Sequence, residues 1–289
     1  LPSVSVDPLA GAQGEFAGLL IARAFHEDRD EGEQRNVALI PDSAHGTNPA
    51  SAAMAGLEVV TVPSDEHGNV SVEDLRNLAD KRTAVFMLTI PNTVGLFEPN
   101  ILEITKIIHD AGGLVYADGA NLNALLGLAK LGYLGFDIAH SNLHKTFTQP
   151  HGGGGPGSGP VIVGERLTDY LPAPIAVRTV GADGREAFTL DRSAKSIGRM
   201  GAFHGNFGAL ARAYAYIRTL GDDGIPQISL DAVINANYIL SQLRGHYDLP
   251  YDRICMHEVV LSAASLKREY GVSALDVSKR LIDYGIHPP

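Results

Sequence analysis

One lysine stands directly before a run of glycines in the stretch 140-HSNLHKTFTQPHGGGGPGSGP-160. Glycine- and serine-rich stretches are often flexible linkers, and most lysines are solvated surface residues. This stretch, however, lies between two predicted strands of one sheet rather than between two lobes, which weighs against a linker. Glycines in such a place allow positive φ and let the backbone approach a ligand closely. We therefore treat the segment as a candidate ligand site.

Lys145 follows a strand that is predicted to be buried, at the carboxyl end of a parallel sheet, where α/β proteins bind their ligands. We expect a lysine there to be partly desolvated, which favours the neutral amine that forms a Schiff base with a carbonyl. Pyridoxal phosphate (PLP) is the obvious carbonyl cofactor. It also requires a phosphate-binding helix start, a carboxylate against its pyridine nitrogen and a flat group over its ring.

The sequence offers a residue for each of these requirements. The segment 10-AGAQGEFAGLL-20 is a small-residue turn that opens a helix, whose free N–H groups and dipole favour phosphate, although such a turn alone is a weak signal. Asp118 ends an apolar strand in 114-LVYADGAN-121, and a helix N-cap is the competing interpretation. His45 follows another strand, where a lone histidine is most often an ordinary polar residue. The combination is stronger evidence than any one member.

A metal site is a rival interpretation of the histidines near the lysine. His140, His144 and His151 are spaced as ligands on a helix could be, but 136-FDIAH-140 is predicted to be a strand. No cysteine or carboxylate pair completes a ligand set in the sequence. The sequence also lacks the P-loop pattern GxxxxGK[ST] and the nucleophile elbow GxSxG.

Composition excludes several classes of protein. The 289 residues carry a formal net charge of -10, which argues against binding to nucleic acid or to an anionic membrane surface. The single cysteine, Cys255, rules out an internal disulfide framework, and we expect it to be a small buried hydrophobic residue. With no signal peptide or membrane-spanning run, we predict a cytoplasmic protein, or a mitochondrial matrix protein if the source is eukaryotic.

Short apolar runs alternate with helical patterns in the first part of the chain, which predicts an α/β fold: a mostly parallel sheet flanked by helices on both faces. The predicted strands cover 37–40, 57–62, 84–90, 114–117, 136–139 and 160–163. Beyond these strands the pattern changes. We predict a loop-rich stretch at 172–193, helices at 206–219 and 230–244, a strand at 253–262 and a helix at 273–284.

These elements predict three parts. Residues 1–165 form a large PLP-binding α/β domain, 166–228 a connecting segment with an interdomain helix, and 229–289 a smaller C-terminal α+β lobe. The chain begins at Leu1 without a methionine and stops soon after a well-patterned amphipathic segment. We therefore expect a fragment of a longer polypeptide, with a truncated C-terminal lobe.

Several longer motifs resemble the glycine decarboxylase family, the P-protein of the glycine cleavage system, and in particular its C-terminal half or second subunit. The matching motifs are AGAQGE at 10–15, IPDSAHGTNPASA at 40–52, PNTVGLFE at 91–98, YADGANLNA at 116–124, NLHKTF at 142–147, PHGGGGPGSGP at 150–160 and GNFGALARAYAYI at 205–217. The resemblance runs over essentially the whole chain. NLHKTF followed by PHGGGGPG is highly specific, whereas AGAQGE alone is not.

The resemblance implies a fold-type I PLP enzyme that decarboxylates glycine and passes the aminomethyl group to the lipoyl arm of a carrier, the H-protein. It implies that PLP is covalently bound to Lys145, that Asp118 pairs with the pyridine nitrogen and that His45 stacks on the ring. The expected cofactor-binding residues are Lys145, Asp118, His45, Ala120, Ala12, Gln13 and His144. The residues expected at the substrate or in the closing loop are Thr47, Asn48, Thr93, Gly153 and Gly154. The other P-protein subunit or N-terminal half is expected as a partner, in a dimer or heterotetramer.

The sequence departs from the family pattern at Thr148, Gln149 and His204, and we expect these changes to be tolerated. Two alternatives stay open. Another fold-type I enzyme, such as a hydroxymethyltransferase, an aldolase or an aminotransferase, would share the lysine, aspartate and histidine; dependence on the lipoyl carrier discriminates between them. A non-catalytic scaffold is the alternative from a different class, but a scaffold has no need of Lys145 and Asp118 together.

Overall fold

The computed structural model describes residues 1–150 and 157–288. Its centre is a seven-stranded sheet made of β1 (Ser3–Ser5), β2 (Val37–Pro41), β3 (Glu58–Val62), β4 (Thr83–Thr89), β5 (Leu114–Gly119), β6 (Ile138–Ser141) and β7 (Val161–Val163). The order of the strands in the sheet is β1-β7-β6-β5-β4-β2-β3. Strands β2 to β6 pair in parallel, and β7 and β1 add two antiparallel strands at one edge. The predicted α/β fold with a mostly parallel sheet is confirmed.

The sheet is covered on both faces, which explains why its strands are continuous apolar runs. Side chains alternate between the faces: Ile40 belongs to the core beneath the first long helix, whereas its neighbour Leu39 packs in the core on the other side. Every residue of β4 and of β5 is buried. The strands that carry the site are therefore also the best-packed ones.

Five helices accompany this sheet: α1 (Gly11–Glu27), α2 (Thr47–Met54), α3 (Val72–Leu78), α4 (Ile101–Asp110) and α5 (Leu143–Thr146). Helix α1 packs on one face, while the inward positions of α4, Ile101, Ile104, Ile107 and Ile108, belong to the core of the opposite face. Ser71 caps α3 by accepting a hydrogen bond from the N–H of Asp74.

The stretch 172–193 was predicted to be loop-rich, and this prediction is wrong. It contains a two-stranded antiparallel hairpin of β8 (Ile175–Val180) and β9 (Glu186–Asp191), with Gly184 at φ +76 in the turn. Every residue of β9 is exposed. The prolines and glycines of this stretch favour a loop, but the prolines precede β8 and the glycines lie in the turn between the two strands.

Helix α6 (Phe207–Leu243) joins the two helices that were predicted separately at 206–219 and 230–244. Its helical geometry is broken at Gly221, where φ is +65 and ψ is -168, and the chain then resumes a helical course. The residues between the two predicted helices, which include Pro226, are helical except for Gly221.

The segment 253–262 was predicted to be a strand, and this prediction is also wrong. Its backbone is irregular because its hydrogen-bonding groups pair with a helix side chain and a loop. The side chain of Asn237 in α6 forms two hydrogen bonds with the backbone of Cys255. Its Oδ1 accepts from the Cys255 N–H at 3.2 Å, and its Nδ2 donates to the Cys255 carbonyl at 2.7 Å. The N–H of Met256 donates to the carbonyl of Gly95 at 2.7 Å. Cys255 is buried against Ala236 and Leu240, as expected for a small hydrophobic residue.

Two short helices follow, α7 (Ala264–Tyr270) and α8 (Ala274–Asp283), and the second matches the helix predicted at 273–284. Ser273 and Asp276 form a capping box at the start of α8. The division of the chain at 165/166 and 228/229 stays a prediction. None of the helices in the described ranges combines the length and the apolar character needed to cross a bilayer.

Candidate active site

The functional residues lie around one cavity at the carboxyl ends of the parallel strands. The cavity has a volume of about 470 Å³, within the range of roughly 300–1,000 Å³ that is usual for small-molecule sites. It is lined by Ala10, Gly11, Ala12, Glu15, His45, Thr47, Thr89, Thr93, Asp118, Ala120, Asn121, Asn142, His144, Lys145 and Glu258. The ends of β2, β4, β5 and β6 thus meet in one place, as the sequence predicted.

Asp118 is the best-anchored group of the cavity. It is only 2% exposed, and three donors hold its carboxylate: Asn48 Nδ2 and Thr89 Oγ1 to Oδ2, each at 3.1 Å, and the N–H of Ala120 to Oδ1 at 2.9 Å. Burial alone would raise the pKa of Asp118, but the facing imidazole of His140 and these hydrogen bonds outweigh it and hold the pKa below its usual value. Asp118 is therefore an ionised carboxylate at neutral pH, and the N-cap interpretation is not needed.

Behind Asp118 lies a buried chain of polar side chains. His140 Nε2 faces Asp118 Oδ1 at 3.3 Å, and His140 Nδ1 lies 2.8 Å from the hydroxyl of Tyr116. Burial lowers the pKa of His140 below its usual value, although the charge of Asp118 acts in the opposite direction. A neutral imidazole with its proton on Nε2 fits both contacts. Its Nε2–H points towards Asp118, and its Nδ1 accepts a hydrogen bond from the Tyr116 hydroxyl.

Lys145 reaches the cavity from the short helix α5, which begins immediately after β6. The N–H of Lys145 donates to the carbonyl of Asn142 at 3.0 Å, which fixes the start of this turn. The side chain lines the cavity but is exposed. The expected partial desolvation of Lys145 is therefore not found among the described residues. His144 precedes Lys145 and also lines the cavity.

His45 and Thr47 form the side of the cavity that follows β2. The backbone N–H of Thr47 donates to His45 Nδ1 at 3.1 Å, and Thr47 Oγ1 lies 2.8 Å from the same nitrogen. These contacts orient the imidazole and leave its proton on Nε2. His45 is exposed and lines the cavity.

The start of α1 closes another side of the cavity. Ala10 is the N-cap residue, and its methyl side chain cannot cap the helix, so the first N–H groups face a site lined by Ala10, Gly11 and Ala12. A Cβ atom at Gly11 would lie 1.7 Å from Asn142 Oδ1, so a larger residue there would require the Asn142 side chain to move. In contrast to the prediction, the Gln13 side chain does not line the cavity: its Oε1 accepts from the N–H of Leu9 and its Nε2 donates to the carbonyl of Met200.

The described glycines after Lys145 have a packing role. A Cβ atom at Gly159 would lie 2.0 Å from the carbonyl oxygen of Ala10, and one at Gly157 would lie 2.6 Å from that of Leu9. These glycines therefore let the segment before β7 lie directly against the residues that precede and begin α1. Gly153 and Gly154, predicted as closing-loop residues, lie outside the described residues, as does His151.

The other predicted residues divide between the cavity and its support. Thr93 lines the cavity, and its hydroxyl donates to the carbonyl of Ser43. Asn48 was predicted near the substrate, but it is fully buried and its side-chain amide holds Asp118 instead. Ala120 lines the cavity and uses its backbone N–H for the same carboxylate.

Sequence reasoning missed two acidic residues of the cavity. Glu15 lies in the first turns of α1 and is 4% exposed, and its pKa is raised to about 7, first by burial and then by the charge of Asp118; the Ser51 hydroxyl and Lys145 act in the opposite direction. Glu258 reaches the cavity from the irregular segment that binds Gly95. The helical spacing of Glu15 from Gly11 could have revealed the first, but no local signal points to the second.

The metal interpretation finds no support in the described part of the chain, where no three His, Cys, Asp or Glu side chains are grouped as metal ligands. His140 is instead engaged with Tyr116 and Asp118.

The three departures from the family pattern lie outside the cavity. Thr148 has φ +53, and its carbonyl accepts a hydrogen bond from Arg212 Nε at 2.8 Å. Gln149 is buried, and His204 Nδ1 lies 3.8 Å from Asp7 Oδ1.

Two family models match parts of the chain. The model described as glycine dehydrogenase, C-terminal domain, matches residues 228–289, and the model described as aminotransferase class-V matches residues 18–154.

Curated relatives match the whole chain. A probable glycine dehydrogenase (decarboxylating) subunit 2 of Treponema denticola is 55% identical over 289 residues, which are 100% of this chain and 59% of the relative. The protein of the same name from Staphylococcus haemolyticus is 53% identical over 290 residues, covering 100% of this chain and 58% of the relative. The chain thus spans somewhat more than half the length of the curated relatives that it matches.

Solved structures share the fold. A crystal structure of glycine decarboxylase (P-protein) of the glycine cleavage system, in inhibitor-bound form, superposes with a TM-score of 0.78 at 22% identity, covering 97% of this chain and 62% of that one. The structure of Oryza sativa TDC with PLP and tryptamine gives a TM-score of 0.70 at 13% identity, covering 98% and 60%. The predicted fold of the type I PLP-dependent enzymes is confirmed by these likenesses. The chain is thus similar over its whole length to proteins named glycine dehydrogenase (decarboxylating) subunit 2, of which it spans somewhat more than half.

Proposed function

We propose that this chain forms the PLP site of an enzyme that decarboxylates glycine and transfers the aminomethyl group to the lipoyl arm of the H-protein. The observation that carries the proposal is the placement of Asp118, an ionised and triply hydrogen-bonded carboxylate, in the same cavity as the amine of Lys145. The curated relatives are named for this glycine chemistry, and they support it for the family.

The residues present fit PLP. The cavity offers an amine for the aldehyde, a carboxylate for the pyridine nitrogen, an imidazole for the ring face and the start of a 17-residue helix for the phosphate. Glycine at position 11 lets the helix start lie against the Asn142 side chain, next to the lysine turn. The donor set is thus complete without a metal ion.

Bound PLP supplies an electron sink that accepts the electron pair left on the glycine α-carbon when carbon dioxide departs. Asp118 keeps the ring nitrogen protonated, which its three donors make possible by holding the carboxylate ionised. Lys145 would hold the cofactor through its amine. His45 covers one ring face, with Thr47 fixing the orientation of its imidazole.

The partners follow from the relatives and from the chemistry. The relatives are named subunit 2, so we propose a second P-protein subunit, in a dimer or heterotetramer, alongside glycine and the lipoyl-carrying H-protein. A cytoplasmic location also stays a prediction.

A second candidate function follows from the aminotransferase class-V model, which matches residues 18–154. Another type I enzyme acting on a small amino acid would use the same lysine, aspartate and histidine. Release of carbon dioxide from glycine that requires the lipoyl carrier supports the decarboxylase, whereas carrier-independent turnover supports the alternative.

The cofactor site is tested by covalent trapping. The purified protein is incubated with PLP and reduced with borohydride, and the pyridoxyl adduct is mapped by mass spectrometry. We expect the adduct on Lys145 and its complete loss in Lys145→Ala, because no other amine lines the cavity within the described residues. Lys106→Ala, an exposed lysine paired with Asp110 on α4, is the control and keeps the adduct. An adduct scattered over surface lysines contradicts the proposal.

A further inference from the structure

Glu15 is a buried acid in the cavity to which the chemistry above gives no role. It lies on the face of α1 that packs against the sheet, between two points of close contact. A Cβ atom at Gly11 would meet Asn142, and one at Gly18 would lie 2.1 Å from the Tyr116 ring. Residues three and four positions apart share one helix face, so Glu15 is held between these contacts with little room to move.

The carboxyl group of Glu15 is incompletely satisfied. Among the described residues, no hydrogen-bond partner reaches its Oε1 atom, although the residue is only 4% exposed. A buried carboxylate oxygen without a partner is costly when the group is charged and much less so when it is protonated. Asp118 has three donors, whereas Glu15 lacks a comparable set.

Charged and titratable groups face Glu15 from every neighbouring element. Asp118 and Tyr116 lie on β5, His140 lies on β6 and Lys145 lies on α5, while α2 contributes the neutral hydroxyl of Ser51. Of these, Asp118 brings a negative charge and Lys145 a positive one, and His140 and Tyr116 are neutral at neutral pH. Two carboxylates therefore lie close to one lysine, and Asp118, which has three hydrogen-bond donors, takes the charge.

We propose that Glu15 is a further functional residue of this cavity, a neutral carboxylic acid that keeps the negative charge beside Asp118 to one unit, and whose ionisation weakens the binding of an anionic, phosphate-bearing cofactor. The inference rests on the proposed PLP site. Ionised Glu15 places a second negative charge in the first turns of α1, where it competes with the phosphate for the same helix start. Glu15 thus acts on the cofactor through the electrostatics of the site rather than by contact.

The proposal makes a quantitative prediction for cofactor affinity. With the pKa of Glu15 at about 7, the neutral, binding-competent form falls from most of the population at pH 6 to a minor share at pH 8. Apparent affinity scales with the competent fraction, so Glu15 weakens PLP binding about tenfold between these pH values. In Glu15→Gln the side chain is neutral and of the same shape at both pH values, so this dependence disappears.

The first measurement is the dissociation constant of PLP at pH 6 and pH 8, in the wild type, in Glu15→Gln and in a matched control. Glu27→Gln is the control, because it makes the same change at an exposed position of the same helix. We expect Glu15→Gln to match the wild type at pH 6 and to bind about tenfold more tightly at pH 8. The protonation of free PLP is common to all three proteins and cancels in the ratio. Equal ratios at the two pH values overturn the proposal.

The second measurement needs no bound cofactor. An infrared titration of the cofactor-free wild type follows the carbonyl stretch of a protonated carboxylic acid, which is separate from the carboxylate bands. A band that is present at pH 6, lost with a midpoint near neutrality and missing in Glu15→Gln supports the inference. No such band at pH 6 overturns it, even if Glu15→Gln fails to fold. If the band is found but Lys145 is not modified by PLP, the proposed cofactor fails and the affinity part of the inference fails with it, while the protonated acid stands.

Discussion

The sheet region buries its large apolar side chains, whereas the region that follows it exposes many of them. Phe86 on β4 is 0% exposed, and the strands around it are buried on both faces. In the hairpin, Phe188 on β9 is 71% exposed, and Phe207 and Tyr214 of α6 are exposed as well. The first region forms its core and most of the active site from its own residues. The second gains little burial from this chain, so its shape owes more to backbone hydrogen bonding than to side-chain packing.

Truncating one phenylalanine in each region gives the largest contrast. We expect Phe86→Ala to lower the free energy of unfolding by about 3–5 kcal/mol, because it leaves a cavity in a core that is closed on all sides. Phe188→Ala should change it by less than about 0.5 kcal/mol. Chemical denaturation of both variants measures the difference. A loss above about 1 kcal/mol in Phe188→Ala would mean that the hairpin is covered in solution, and the contrast would fail.

Removing one carboxylate in each region compares their roles in catalysis. We expect Asp118→Asn to slow carrier-dependent glycine decarboxylation by about 100-fold or more, the size usual for a lost preorganised charge. Asp191→Asn, at the exposed end of β9, should leave the rate unchanged. The measurement is carbon dioxide release from labelled glycine, with circular dichroism to check the fold. Wild-type turnover in Asp118→Asn would contradict the role proposed for this residue.

Adding one methyl group in each region is the mildest comparison. At Gly18 a Cβ atom would lie 2.1 Å from the buried ring of Tyr116, so we expect Gly18→Ala to destabilise the protein by about 1–3 kcal/mol. At Gly208, in the first turn of α6, the nearest atom to a new Cβ is Asn206 Oδ1 at 3.8 Å, and Gly208→Ala should stabilise the helix by less than about 1 kcal/mol. Thermal unfolding of the two variants measures the difference. Equal shifts in melting temperature would show that α1 can move away from the sheet.

The same contrast explains which elements could be predicted from the sequence. Strands such as β4 and β5 were predicted because a strand covered on both faces is a continuous apolar run. The hairpin was missed because the prolines before β8 and the glycines in its turn are also typical of loops. The segment 253–262 was predicted as a strand from its apolar residues, but its backbone bonds to Asn237 and Gly95 instead of a neighbouring strand.

The site divides in the same way. Asp118, His45 and Lys145 could be brought together from sequence because each follows a strand of one parallel sheet. Gln13 could not be placed, because whether a residue at a helix start points into the cavity depends on the partners of its side chain, here Leu9 and Met200. Glu258 lies far along the chain from the other lining residues, and its approach depends on tertiary contacts alone.

The contact between Met256 and Gly95 also bears on protein synthesis. Strand β5, which carries Asp118, and helix α5, which carries Lys145, leave the ribosome well before the segment that supplies Glu258, and early parts of a chain generally fold first. The nascent cavity is therefore walled by α1 and the strand ends but open beside the loop that contains Gly95. That wall can be added only when the segment with Met256 and Glu258 has been translated, so the site is completed after the sheet that carries the rest of it has been made.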